Sequence, residues 1–303
     1  MLDIGRLRML VELSRRGTLS AVADALSYSK ASVSQQLAAL EREVGAPLLR
    51  RVGRGVQLTP QGTVLVAEAV GILDRLEHAE LAVAASLSEV TGTVRIAVFQ
   101  TAAHALLPPA LTTLARRHPS LRVDVTECDP ETGLVGVASR DFDLILAEQY
   151  PGRTRPIHAD LDRVVLAHDA IALARRPGAS AAPADAADAL RSTASAPWVL
   201  EPRGTASRAW AEQLCRTAGF EPDVHFEVAD LTTHIRLIRA GLAIGLLPEL
   251  VWAGDDPTVA LSPLPDAPRR EIFSSARLVS AEAPSIRAVR RALADAASVI
   301  LPS

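Results

Sequence analysis

Apolar residues recur every three to four positions through the first part of the chain. Leu7, Leu10, Val11 and Leu13 keep helical spacing up to Gly17, a residue suited to closing a helix. Thr18 is an N-cap for a second helix, with Ala21, Val22, Ala25 and Leu26 on its expected buried side. Ser27 and Tyr28 form a turn, Ser29 caps a third helix, and Val33, Leu37, Leu40 and Val44 carry the rhythm to Gly45. Three short helices with small alanines at their junction predict a helix-turn-helix. Pro47 to Leu58 then sets two short extended pieces around Gly53-Arg54-Gly55, the pattern of a hairpin wing. Thr59-Pro60 opens a fourth helix, expected to run to about Ser88. Along it Leu65, Ala69, Ile72, Leu76, Ala79 and Val83 alternate by four and three, the spacing of a coiled-coil seam. One long helix cannot bury such a stripe by itself, so pairing with a second copy of the chain is expected.

From Gly92 the period changes. Val94–Val98, Leu121–Thr126 and Leu144–Ala147 read as strands, alternating with helices over Ala105–Arg117 and Glu131–Ser139. A second unit of the same kind spans roughly Asp169 to Pro263. It has strands at Trp198–Leu200, Val224–Val228 and Ala243–Leu247, and helices at Ser207–Ala218 and Leu231–Ala240. The stretch Ala179–Ala187 is rich in Ala, Pro, Ser and Asp and reads as an exposed loop or short helix. The amphipathic segment Ser285–Ile300 is expected to return to the first unit, so the chain crosses twice between two α/β lobes.

Charge sharpens this division. Residues 1–58 hold nine basic side chains against five acidic ones, although the whole chain carries a net −3. A basic first segment on an acidic body is the footprint of a nucleic-acid module joined to something else. No apolar run approaches the ~20 residues of a membrane span, and the first residues lack a signal-peptide pattern, so a cytoplasmic place of work is expected. Two cysteines among 303 residues make no disulfide framework. No His/Cys/Asp cluster has metal-ligand spacing and no Gly-rich phosphate loop or nucleophile elbow occurs, so neither metal, cofactor nor catalysis is expected.

The run Leu7 to Gly62 resembles the LysR-type transcriptional regulators of bacteria. It does so through Ser34-Gln35-Gln36-Leu37, Leu40-Glu41, Gly45-Ala46-Pro47-Leu48-Leu49-Arg50-Arg51 and Leu58-Thr59-Pro60-Gln61-Gly62. Gly92-Thr93-Val94-Arg95-Ile96, Leu106-Leu107-Pro108 and Ala240 to Pro248 extend the resemblance over essentially the whole chain. It implies an α+β winged helix-turn-helix over 1–58, a linker (dimerisation) helix over 59–88, and a two-lobed α/β periplasmic-binding-protein-like effector domain over 92–303. Lobe I is expected over about 92–165 and 266–303, and lobe II over about 166–265. The implied partners are double-stranded promoter DNA, a small-molecule effector, further copies of the chain up to a homotetramer, and RNA polymerase.

Recognition helices present their first turns to base edges. Here those turns carry Ser29, Lys30, Ala31, Ser32, Ser34 and Gln35. Gln35 can pair with adenine through two hydrogen bonds, and Lys30 can donate to guanine. The family often has Gln-Pro-Ala-Leu-Ser-Arg where this chain has Lys30-Ala31-Ser32-Val33-Ser34-Gln35. Arg50, Arg51 and Arg54 on the wing suit phosphates or the minor groove. Ligands of open α/β lobes sit at the carboxyl ends of strands. That rule selects Phe99, Gln100, Thr101, Cys128 and Gln149 in the first lobe, and Arg203, Gly204, Thr205 and Asp230 in the second. The family arrangement adds Gly245. Arg203 beside Gly204 suggests an anionic effector, a carboxylate for example; an interlobe or surface arginine is the alternative. His104 and His234 are either cleft residues or ordinary helix histidines. Cys128 and Cys215 allow a redox-responsive reading, against two separate free thiols. A solute-binding component is a further alternative.

Overall fold

The computed structural model describes the chain apart from residues 54, 87–88, 154–157, 180–182, 184 and 302–303, and the side chains of 84 and 85. It divides into two compact units, Met1–Ser88 with Ser139–Asp141, and Glu89–Ala138 with Phe142–Ser303.

The first unit begins with α1 (Ile4–Arg16), α2 (Leu19–Leu26) and α3 (Lys30–Val44). Side chains cap each helix start: Asp3, Thr18 and Ser29 accept from the N–H of Arg6, Ala21 and Ser32. Gly17 and Gly45 close α1 and α3 in the left-handed conformation that glycine adopts at no steric cost. Leu7, Leu10, Val22, Val33, Leu37 and Leu40 make the core between them. Val44, expected inside, is exposed. The wing follows as β1 (Leu49–Val52) paired antiparallel with β2 (Gly55–Leu58).

Next comes α4 (Pro60–Ala85). The Thr59 hydroxyl donates to the Pro47 carbonyl at 2.7 Å and accepts from the Gly62 N–H at 3.0 Å. Gly62 has a steric reason to be glycine, since a Cβ there would lie 2.2 Å from the Leu48 carbonyl oxygen. The expected seam splits on this helix. Leu65 and Ala69 turn inward with Leu73 to join the helix-turn-helix core, Ala69 being fully buried. Ile72, Leu76, Ala79 and Val83 stay exposed, as does Val64.

The second unit is built on a mixed sheet. Its first strands are β3 (Gly92–Val98), β4 (Leu121–Glu127) and β5 (Leu144–Gln149), with β4 and β5 both parallel to β3. Between them run α5 (Gln100–Ala105), α6 (Leu107–Arg117) and α7 (Pro130–Ala138). The single helix expected before β4 is thus two, broken at Leu106. The long strand β6 (Val164–Arg175) leads on to α8 (Ala186–Arg191), β7 (Pro197–Leu200), α9 (Ala206–Thr217), β8 (Asp223–Glu227), α10 (Leu231–Arg239) and β9 (Gly245–Pro248). A 3-10 turn at Glu249–Trp252, β10 (Ala260–Ser262), β11 (Arg269–Ala276) and α11 (Pro284–Ile300) complete the chain, and α11 packs against α6.

The strand order β10-β6-β11-β5-β3-β4 makes one continuous sheet out of both lobes. Strand β6 pairs with β11 through Val164–Ala170 and with β9 and β10 through Ile171–Arg175. Strand β11 lies antiparallel between β5 and β6. These two strands are the crossings between the lobes. Strand β11 runs against the parallel strands β3, β4 and β5 of the first lobe, and β6 against β9 of the second, because an outgoing and a returning crossing travel in opposite directions. Separate cores serve the two sides, Leu134, Val137 and Ile145 in the first and Trp198, Trp210 and Cys215 in the second.

Candidate functional site

In the first unit the opening turns of α3 present an exposed face. Ser29, Lys30, Ala31, Ser34 and Gln35 are exposed and Ser32 is half-buried, while Val33, Leu37 and Leu40 face inward. Ser29 already spends its oxygen on the Ser32 N–H at 3.1 Å, which makes it the helix cap as well as a candidate contact. Glu41 accepts the Leu48 and Leu49 N–H groups at 2.8 and 3.0 Å, tying the wing to α3. On the wing Arg50 donates to Gln57 across the hairpin at 3.0 Å, and Arg51 is exposed. Arg54 lies outside the described residues. Other arginines of the segment are committed within the unit: Arg6 bonds Gln36 and Glu43, and Arg15 and Arg16 pair with Glu12.

In the second unit a cleft of about 620 Å³ opens where the carboxyl ends of β3, β4, β5, β7 and β8 converge. Phe99, Gln100 and Thr101 enter from the start of α5, and Cys128 and Asp129 from the turn after β4. Glu148, Gln149 and Tyr150 end β5. Glu201 and Gly204 to Ser207 come from the turn after β7, Asp230 from the start of α10, and Arg270 from β11.

At the base, Arg270 is only 2% exposed. It donates to Asp169 at 2.8 Å, to the Thr101 hydroxyl at 2.7 Å and to Glu148. Asp169 in turn accepts the Leu250 N–H at 3.0 Å. A charge this deep survives only because both carboxylates answer it. Across the cleft, the Gln100 amide donates to Asp230 at 2.8 Å and its oxygen accepts the Leu231 N–H at 3.1 Å. Burial works against ionisation of Asp230. Hydrogen bonds from Thr233, Thr232 and Gln100 outweigh it and hold the carboxyl at about 2.

The lining is acidic. Glu127, Asp129, Glu131, Glu148, Glu201 and Asp230 face Arg153 and Arg270, and Arg270 is already engaged. Burial, then the neighbouring Glu148 charge, pushes the Glu201 carboxyl up to about 7, against the Ser207 hydroxyl that favours its ionised form. Burial also raises the Tyr150 phenol and both thiols. Cys215 reaches about 12, and Cys128 is raised by burial and by Asp129 and Glu127.

Residues 4–63 match the family profile described as bacterial regulatory helix-turn-helix protein, lysR family. Residues 88–298 match the LysR substrate binding domain, which alone covers more than half of the chain. The chain belongs to the LysR family of transcriptional regulators. It is 29% identical over 247 residues to a probable hydrogen peroxide-inducible genes activator of Mycobacterium avium, covering 81% of this chain and 78% of that one. To the transcriptional dual regulator GltC of Bacillus subtilis it is 28% identical over 258 residues, 84% of each chain. Among solved structures, a full-length OxyR from Pseudomonas aeruginosa superposes with a TM-score of 0.67 at 19% identity, covering 99% of this chain and 95% of that one. Full-length CbnR, solved in complex with its target DNA, superposes at 0.54 and 24% identity, covering 97% and 100%. These two likenesses carry the fold.

Eight of the ten effector positions expected in this LysR-family chain line the cleft: Phe99, Gln100, Thr101, Cys128, Gln149, Gly204, Thr205 and Asp230. Two do not. Arg203 points into solvent with 81% of its side chain exposed, 3.9 Å from Glu227, so the anion-binding anchor expected there falls away. Gly245 sits inside β9, where a Cβ would lie 3.1 Å from the Val199 carbonyl oxygen; it is small to let strands approach and does not reach the cleft. His104 is exposed, whereas His234 is 2% exposed and reaches the wall of a smaller adjoining cavity. The sequence reading missed Glu148, Tyr150, Glu201 and Arg270. Glu148 and Tyr150 flank the expected Gln149 and Glu201 directly follows β7, so the strand-end rule had them within reach. Arg270 had no such signal, because its strand was not foreseen.

Proposed function

We propose that the small-molecule effector of this LysR-family regulator binds in the 620 Å³ cleft, and that its binding changes the complex with promoter DNA. The carrying observation is the convergence of five strand ends from both lobes on one cavity, the place where open α/β sheets hold ligands. Side chains from both lobes would touch one molecule, so occupancy favours whichever lobe arrangement fits it.

DNA contact belongs, on this reading, to Lys30, Ala31, Ser34 and Gln35 of α3, with Ser29 and Ser32 at its start and Arg50, Arg51 and Arg54 on the wing. Pairing of two copies belongs to Ile72, Leu76, Ala79 and Val83 of α4. Membership of a DNA-binding family supports a cytoplasmic place of work and action through binding rather than catalysis. Peroxide sensing through Cys128 and Cys215 has less support: the thiolate is the reactive form, and burial keeps both thiols protonated.

The test is a mobility-shift titration on the regulator's own operator, before and after a library of small metabolites is added. A metabolite that shifts operator affinity in the natural chain and not in Ala206→Trp, which fills the cleft wall, supports the proposal. An equal response in both proteins rejects the cleft.

A further inference from the structure

Beyond the cleft's outline lies an unsatisfied group. The cleft shares Tyr150, Glu201, Ser207 and Leu231 with a smaller cavity of about 30 Å³ that continues into the second lobe. His234 lines that inner cavity. Its Nε2 lies 2.7 Å from the Val228 carbonyl oxygen, so Nε2 carries the proton and donates. Burial holds the ring neutral by lowering its pKa. Nδ1 is therefore an acceptor, buried and without a hydrogen-bond partner. A buried acceptor of this kind calls for a donor.

The rest of the inner wall asks for the same chemistry. Nearby cations are committed elsewhere: Arg270 to Glu148 and Asp169, and Arg208 to Glu212, Glu227 and the backbone oxygen of Glu201. The Tyr150 and Trp210 rings stand 5.4 Å apart, tilted by 36°, and both line the inner cavity. Aromatic faces attract a cation, and a desolvated carboxylate beside them attracts it more. A volume of 30 Å³ admits a group about the size of one water molecule, which an ammonium head is.

Resting on the reading that the effector binds in this cleft, we infer that it is an organic amine. Its charged ammonium end sits in the inner cavity against Glu201, His234 and the Tyr150 and Trp210 rings. The ammonium donates to the Glu201 carboxylate and to His234 Nδ1, while the rest of the molecule lies in the outer cleft among further carboxylates.

Three probes of one carbon skeleton separate the possibilities: a pentane diamine, the matching diol, and the dicarboxylate glutarate, each titrated calorimetrically into the full chain at pH 7. The diamine should bind about tenfold or more tightly than the diol, the worth of one charge-assisted hydrogen bond, with glutarate weakest. Glu201→Gln should cost the diamine about tenfold and leave the diol unchanged. Glu201 faces Glu148, Tyr150, Ser207, Arg208, His234 and Arg270, and its carboxyl is pushed up to about 7. Diamine affinity should therefore rise from pH 6 to pH 8 in the natural chain and stay flat in Glu201→Gln. Glutarate or diol binding as tightly as the diamine, a diamine indifferent to Glu201→Gln, or no binding by any probe overturns the amine. Diamine binding that survives in Ala206→Trp rejects the cleft itself. At pH 5, where Glu201→Gln is not expected to move the melt, each unliganded variant melting at the natural temperature shows that its fold is intact.

Discussion

Single residues carry the sharpest constraints. Gly62 was visible in the sequence only as part of a Thr-Pro-Gln-Gly motif, and the structure supplies its reason in the 2.2 Å approach that a Cβ would make to the Leu48 carbonyl oxygen. Backbone cannot yield as a side-chain tip can, so Gly62→Ala should destabilise the first unit by about 1–3 kcal/mol, the usual cost of overpacking. A urea melt of the full chain in which the first transition does not move would refute that account. Gln35 makes a different kind of claim. Exposed on the second turn of α3, it should carry base preference, so Gln35→Ala is expected to flatten discrimination at one operator position by about 1–3 kcal/mol. Arg51→Ala should instead weaken all sequences alike and reduce the salt dependence of binding. Binding measured on a set of operator variants at two salt concentrations distinguishes the two behaviours. Glu201 gives a pH signature in the absence of any ligand. Its carboxyl ionises near 4.5 in the unfolded chain and near 7 in the fold, so between those values the folded state holds the extra proton. Stability is thus fully present below pH 4.5, falls as pH rises to 7, and levels off above it, by on the order of 3 kcal/mol. Glu201→Gln should remove this fall and melt higher than the natural chain at pH 8 but not at pH 5; equal gains at both would sink the assignment.

Among the elements, how much could be read ahead of the structure depended on how local the signal was. The caps Thr18, Ser29 and Gly45 and the wing turn are local, and the helices and hairpin stand where those residues put them. The parallel strands β3, β4, β7 and β8 were equally legible because apolar runs alternated with helical ones. Strand β11 was not: Arg269 to Ala276 is charged and polar at five of its eight positions, because it threads two neighbouring strands and holds the buried pairing of Arg270. Its polar side chains find partners that are distant in sequence, which no local period can report. Helix α4 illustrates the same limit from the other side. The four-and-three spacing marked its apolar positions, but Leu65 and Ala69 are claimed by α1 and the helix-turn-helix core, leaving Ile72, Leu76 and Val83 exposed, the face proposed for a second copy. The double substitution Leu76→Glu with Val83→Glu puts like charges on that face without touching the core. It should turn the dimer into a monomer by light scattering and weaken operator binding at least tenfold, since paired half-sites would no longer be bound together. A dimer that persists would place the contact elsewhere.

At the scale of the sensing unit, the two lobes share one sheet that β6 and β11 carry from one to the other, so what sits between those strands bears on both lobes together. Arg270 stands there. From β11 it reaches Glu148 on β5, Asp169 on β6 and Thr101 on α5, and Asp169 passes the connection on to the Leu250 N–H in the second lobe. Bringing a guanidinium and two carboxylates out of water costs several kcal/mol per ion, and their mutual attraction offsets this only while all three remain. Arg270→Met would fill the space with an apolar side chain but leave Glu148 and Asp169 without their shared cation. The expected loss is about 3–5 kcal/mol, the cost of breaking a buried pair from one side. A companion change of Asp169→Asn in the same chain should recover part of it, because one of the two uncompensated charges is then gone. Urea melts of the three proteins at pH 8 measure both effects. If Arg270→Met costs less than 1 kcal/mol at pH 8, or the double variant is no better than the single one, the buried network is not what fixes the crossing strands. The lobes would then be held chiefly by the Gln100 bridge to Asp230 and Leu231.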